Sequence, residues 1–140
     1  MKLADKKALT IAIAKQIATA SEREAARNHW NIFIAIVDDG GNVMYLERMD
    51  GAQLASHEVS VAKARSALLF KRPTKAMEEA VAAGRAVVMT LPQVVPVEGG
   101  VPLIADGQIV GAIGISGVTS AQDGVVAQAG VDEFGRLLNS

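Results

Sequence analysis

The stretch Val97–Gly124, VEGGVPLIADGQIVGAIGISGVTSAQDG, carries seven of the chain's 13 glycines and no His, Lys, Arg or Cys. Asp106-Gly107 divides two β-prone runs, Val101 to Ala105 and Gln108 to Ile115. An Asp-Gly pair tolerates the left-handed backbone that a two-residue hairpin turn requires, so antiparallel strands are expected. Thr119 and Ser120 then offer capping hydroxyls ahead of Val125, Ala129 and Leu137 at roughly helical spacing, which predicts a closing helix. A hairpin running into an amphipathic helix implies a sheet whose faces are covered by helices.

The same pattern occurs upstream. In NIFIAIVDDGGNVMYLERMDGA the runs Ile32 to Val37 and Val43 to Arg48 flank an Asp/Gly/Asn cluster and read as a second hairpin. Residues 3 to 27 place Leu9, Ile13, Ile17 and Ala20 on one stripe, as in an amphipathic first helix. Leu54 to Phe70 reads as another helix, with His57, Val61, Ala64 and Leu68 along one face and Glu58, Ala62 and Arg65 along its neighbour. Pro73 disfavours a helical Arg72, and Thr74 is placed to cap a short third helix stopping at Gly84. Val87 to Pro96 is β-prone but broken by Pro92 and Pro96, so an irregular connection with a little edge strand is expected.

At 140 residues and 14.6 kDa, the chain fits one domain spanning residues 1–140. Its net charge of -1 leaves no basic excess for neutralising phosphates, which argues against nucleic acid as a partner. Cysteine is absent, so disulfides, thiolate metal sites and a thiol nucleophile are excluded. Lys15 and Gln16 interrupt the apolar residues near the N-terminus, giving neither a signal peptide nor a membrane span. A cytoplasmic protein without membrane contact is expected.

The glycine run matches no phosphate or nucleophile motif. Gly111, Gly114 and Gly117 fall at intervals of three rather than as G-x-G-x-x-G, no lysine completes a P-loop, and Ser116-Gly117 ends a nucleophile elbow one place early. Close approach of a helix or another subunit is the plainer use for Gly111 and Gly114.

Chemistry therefore concentrates at the ends of the run and on the second helix. His57 is one of two histidines and the natural proton carrier or iron ligand, with Arg65 two turns on to hold a carboxylate. Glu98, between Pro96 and Gly99-Gly100, is a candidate acid or base; Gly99, Gly100, Ser116, Thr119 and Ser120 are candidate ligand contacts, the last two at a helix start suited to an anion. Lys71 and Arg72 can meet a carboxylate or a haem propionate, and His29 is a second candidate iron ligand. A solvated charge, a helix cap or a surface histidine is the alternative at each position. No His/Asp/Glu cluster has the spacing of a dedicated metal site.

VDDGGNVMYLERMDGA, then VAKARSALLFKRPT, then EGGVPLIADGQIVGAIGISGVTSAQDGVVAQAG resembles in order the GlcG/HbpS family, also called the haem-degrading or DUF336 domain, and is similar to the C-terminal domain of PduO-type proteins. The resemblance implies a profilin-like α/β/α fold with a five-stranded antiparallel sheet, homo-oligomers from dimer to octamer, and a small-molecule ligand that in some members is haem. Family members often carry proline before the Gly-Gly pair, whereas here Glu98 stands there. His57 matches no histidine shared across the family.

Two functions follow, beside the plainer option of a structural or assembly module with no ligand. One is a cytoplasmic oligomeric protein that binds haem, or helps degrade it, through His57 or His29 with Arg or Lys on the propionates. The other is an enzyme acting on a small carboxylated acid from aromatic or glycolate catabolism, by isomerisation, hydrolytic substituent removal or deamination. There His57 and Glu98 would exchange protons, Arg65 would hold a carboxylate, and the Thr119–Ser120 helix start would bind an oxyanion. The enzyme requires these groups to converge on one pocket, within a chain or across a subunit interface.

Overall fold

The computed structural model describes residues 1–140. The first helix, α1 (Ile11–Arg27), begins later than its periodicity suggests, because extended Thr10 caps it: its hydroxyl accepts the Ile13 N–H at 3.2 Å. The buried stripe is Ala14, Ile17, Ala18, Ser21 and Ala25, and Leu9 is buried ahead of the helix.

Strands β1 (Phe33–Asp38) and β2 (Val43–Arg48) form the first hairpin, and β3 (Gly100–Ala105) and β4 (Gln108–Ser116) the second. Asp106 and Gly107 have φ of 50° and 75°, the doubly left-handed turn expected of Asp-Gly. The sheet order is β2-β1-β4-β3, with every neighbouring pair antiparallel.

Alternation along the strands builds two cores. Ala35, Val37 and Ala112 face α2 (Ser56–Phe70), while Ile34, Ile36, Ile113 and Ile115 face α1 and the last helix. The result is a helix–sheet–helix sandwich. Two register-paired glycines bring α2 onto the sheet: a methyl at Gly114 would overlap the Ser60 carbonyl, and one at Gly100 the Lys63 carbonyl. Gly111 serves a strand contact instead, since a methyl there would overlap the Val37 carbonyl.

The sheet has four strands, not the five expected. The β-prone segment after α3 (Thr74–Ala82) folds into a short 3-10 helix, Ala86–Thr90, held by local bonds such as Val88 N–H to Arg85 O at 3.2 Å. Pro92 and Pro96 lack the N–H groups a strand would donate. Thr74 is also not the cap expected: Pro73 takes that position, and the Thr74 hydroxyl accepts the Gly100 N–H at 2.9 Å, pinning β3 to α3. The closing helix, α4 (Ser120–Leu138), starts where its caps indicated.

Candidate functional site

Helix α2 lies over β1, β4 and β3, leaving the α2-facing side of edge strand β2 uncovered. That vacancy is a cleft of about 690 Å³, walled by α2 and β2 and roofed by Gln93 and Val95. Val43, Leu46, Val61 and Val95 make most of it apolar; its polar groups are His57, Glu58, Arg65 and Gln93.

His57 stands exposed in the first turn of α2. Its ring stacks on Phe33 with centroids 5.7 Å apart and planes 14° from parallel. An adjoining opening, about 480 Å³, is lined by Phe33, Arg48 and Leu54 and shares Leu46 and His57 with the cleft. Arg65 lies about 12 Å further along the helix axis by the usual rise per residue. Its Nε donates to the Gly41 carbonyl at 2.9 Å, so the β1–β2 turn reaches over to the helix. Asp38 braces that turn by accepting the N–H groups of Gly40 and Asn42, each at 2.9 Å. The Asn42 bond above all holds the Asp38 carboxyl below the usual carboxylate range, against an opposing effect of burial.

The roof is tied to the same helix, with Val95 N–H donating to Ser66 Oγ at 3.0 Å. Gln93, between Pro92 and this anchor, has φ of 64°. A left-handed, unbranched polar residue is uncommon and worth attention where it lines a cleft.

The other candidates lie elsewhere. Glu98 lines a separate cleft of about 320 Å³ with Lys75, Gly99, Gly100 and Gln128. Its N–H donates to Glu78 Oε1 at 3.2 Å, and its carboxylate packs where a methyl on Gly124 would sit. Lys71 and Arg72 line a third cleft beside Phe134; Lys71 is the left-handed cap of α2, and Arg72 Nε donates to Phe70 O at 2.9 Å.

Thr119 and Gln122 form a reciprocal capping box, each bond at 3.3 Å, and Asp123 accepts the Val118 N–H at 3.2 Å. Much of the N–H capacity at the α4 start, with Ser120 its first residue, is thus met internally. Ser116 is 4% exposed and donates to Ser56 Oγ on α2 at 2.9 Å, an interior bond. His29 sits exposed with φ of 60° just past α1 and does not line the His57 cleft.

Within one chain, then, His57 and Arg65 come together, while Glu98 and Thr119 do not join them. The proton-exchanging pair required for the enzyme reading is divided between separate clefts.

The family model described as "Haem degrading protein HbpS-like" matches residues 9–132. The chain belongs to the HbpS-like family. Protein GlcG of Escherichia coli strain K12 is 45% identical over 104 residues, 74% of this chain and 78% of that relative. The Klebsiella pneumoniae protein ORFY, of the DUF336 family, superposes with a TM-score of 0.87 at 34% identity, covering 96% of this chain and 97% of its own. PduOC, solved as a haem complex, superposes with a TM-score of 0.83 at 29% identity over 91% of this chain and 95% of its own.

In this HbpS-like chain, sequence reasoning missed Gln93 and the buried pair Lys63–Asp123. Gln93 gave no signal, since its conformation depends on where the roof is anchored. Lys63 had one: Ser56, Ser60, Ala64 and Ala67 form a small-residue stripe on α2, and Lys63 lies beside it on the same buried face.

Proposed function

We propose that this chain binds haem, or a similarly planar anionic molecule, in the cleft between α2 and β2. The observation that carries the reading is that His57 and Arg65 stand two turns apart in one apolar cleft. An imidazole is a standard haem-iron ligand, a guanidinium suits a propionate, and the aliphatic walls suit a porphyrin face. The donor set therefore fits: His57 would hold the iron, Arg65 a propionate, and Val43, Leu46, Val61 and Val95 the ring. Bound haem would supply redox and oxygen chemistry, and degradation of haem is the activity named for the family.

The haem complex of PduOC supports the ligand class. We place the protein in the cytoplasm as a homo-oligomer. No helix is long and apolar enough to cross a membrane.

Haem titration of the purified protein tests the reading. A saturable Soret shift at micromolar haem is expected, displaced or lost in His57→Ala and unchanged in His29→Ala. A wild-type spectrum identical to free haem would refute it.

A further inference from the structure

The geometry points to Asp38 as a positioning residue for Arg65, and through it as the residue that sets the cleft's preference for anionic over neutral ligands. This rests on the ligand occupying the α2–β2 cleft.

Arg65 makes no ion pair, although Glu58 shares its cleft. Its one hydrogen bond runs from Nε to Gly41 O at 2.9 Å. A bond at Nε fixes the guanidinium plane while leaving both terminal amino groups free, the fork that meets a carboxylate with two parallel bonds. Arginine otherwise loses considerable rotamer freedom when it clamps a ligand, and a tether made beforehand lowers that cost.

The acceptor is held as carefully as the donor. Gly41 N–H donates to Asp38 O at 3.1 Å, and Asp38 N–H donates to Asn42 O at 2.9 Å. The Asp38 carboxylate accepts from Gly40 and Asn42, so four bonds converge on one residue of the turn. Gly41 has φ of 82°, and its Cα hydrogen faces Leu68 and the Arg65 stem closely enough that a methyl would lie 3.6 Å and 3.9 Å from them. Lys6, the nearby cation, makes its ion pair with Asp39 at 2.8 Å, so the hydrogen bonds of the Asp38 carboxylate all go to the turn.

The test compares protoporphyrin IX with its dimethyl ester, read by porphyrin fluorescence on the full-length protein, beside the haem titration. Wild type should prefer the free acid by about tenfold, the worth of a charge-assisted hydrogen bond, and Arg65→Ala should abolish the preference. Asp38→Ala should cut it roughly threefold or more, and Asp38→Asn, which keeps an acceptor oxygen, should retain most of it. Because the readout is a ratio within one sample, loss of folded protein cancels.

A wild-type preference in Asp38→Ala overturns the inference and leaves haem binding intact. Protoporphyrin binding without a Soret shift would remove His57 ligation but not the role of Asp38. Failure of wild type to bind either porphyrin overturns both.

Discussion

Lys63 Nζ on α2 lies 3.0 Å from Asp123 Oδ2 on α4, with 2% and 3% of the two side chains exposed. One ion pair thus joins the helices on opposite faces of the sheet. The same ammonium donates to Ile115 O at 2.9 Å, at the end of β4. Its path runs past Gly99, where a methyl would come within 2.8 Å of Nζ. Burial outweighs the attraction of Lys63 and holds the Asp123 carboxyl above its ordinary range.

Breaking this pair should cost more than removing it. Lys63→Met is expected to lower unfolding free energy by about 3–5 kcal/mol, whereas Lys63→Met with Asp123→Leu should recover most of that loss. In Lys63→Met the raised Asp123 carboxyl means that the stability present below its unfolded pKa is lost as pH rises through its folded pKa. Urea melts across that acid range would show the single variant gaining on wild type as pH falls; parallel curves would contradict this.

Asp38 and Glu47 should pull the pH profile in opposite directions. The Asn42 and Gly40 N–H bonds lower the Asp38 carboxyl, so its contribution is present above the unfolded value and is lost as pH falls through the folded one. Glu47 is raised, first by burial and then by the Glu22 carboxyl beside it, so its contribution is present at low pH and lost as pH rises. Glu47→Gln should therefore stabilise the protein more at about pH 7.5 than at about pH 4.5, whereas Asp38→Asn should cost similar stability at both and progressively less only below about pH 4. Thermal melts in matched buffers check both signs.

Two glycine-to-alanine changes should differ in sign. At Gly114 the added methyl meets the Ser60 carbonyl and lies 2.6 Å from Ala64 N, so overpacking by about 1–3 kcal/mol is expected. Gly135, inside α4, has nothing within 4 Å, so alanine there should add about 0.5–1 kcal/mol through helix propensity. Equal effects in chemical denaturation would show that α2 does not rest on the strand as described.

Gln93→Gly separates folding from binding. Glycine relieves the left-handed backbone, so stability should hold or rise by up to about 1 kcal/mol. Haem affinity should fall, because the side chain that lines the cleft is gone. Unaltered haem affinity in the titration would remove Gln93 from the site.

The sequence by itself determined the elements and most of their ends. Asp106-Gly107 specified its turn through backbone conformation, Thr119 specified the start of α4 through its hydroxyl, and strand alternation assigned Ile34 and Ile36 to one face and Ala35 and Val37 to the other. His57 and Arg65 were legible as a pair because helical periodicity puts residues about two turns apart on adjoining faces of one helix. These are short-range effects, encoded within a few residues of where they act.

Only the tertiary structure decided that Glu98 and Thr119 stand apart from His57, that the segment after α3 forms no fifth strand, and that Lys63 is an interior residue. Each depends on what arrives from distant parts of the chain: Gly124 receiving the Glu98 carboxylate, Ser66 anchoring Val95, and Asp123 crossing from α4 to meet an ammonium that would otherwise be too costly to bury. A charge's environment is a property of packing, and no local pattern carries it.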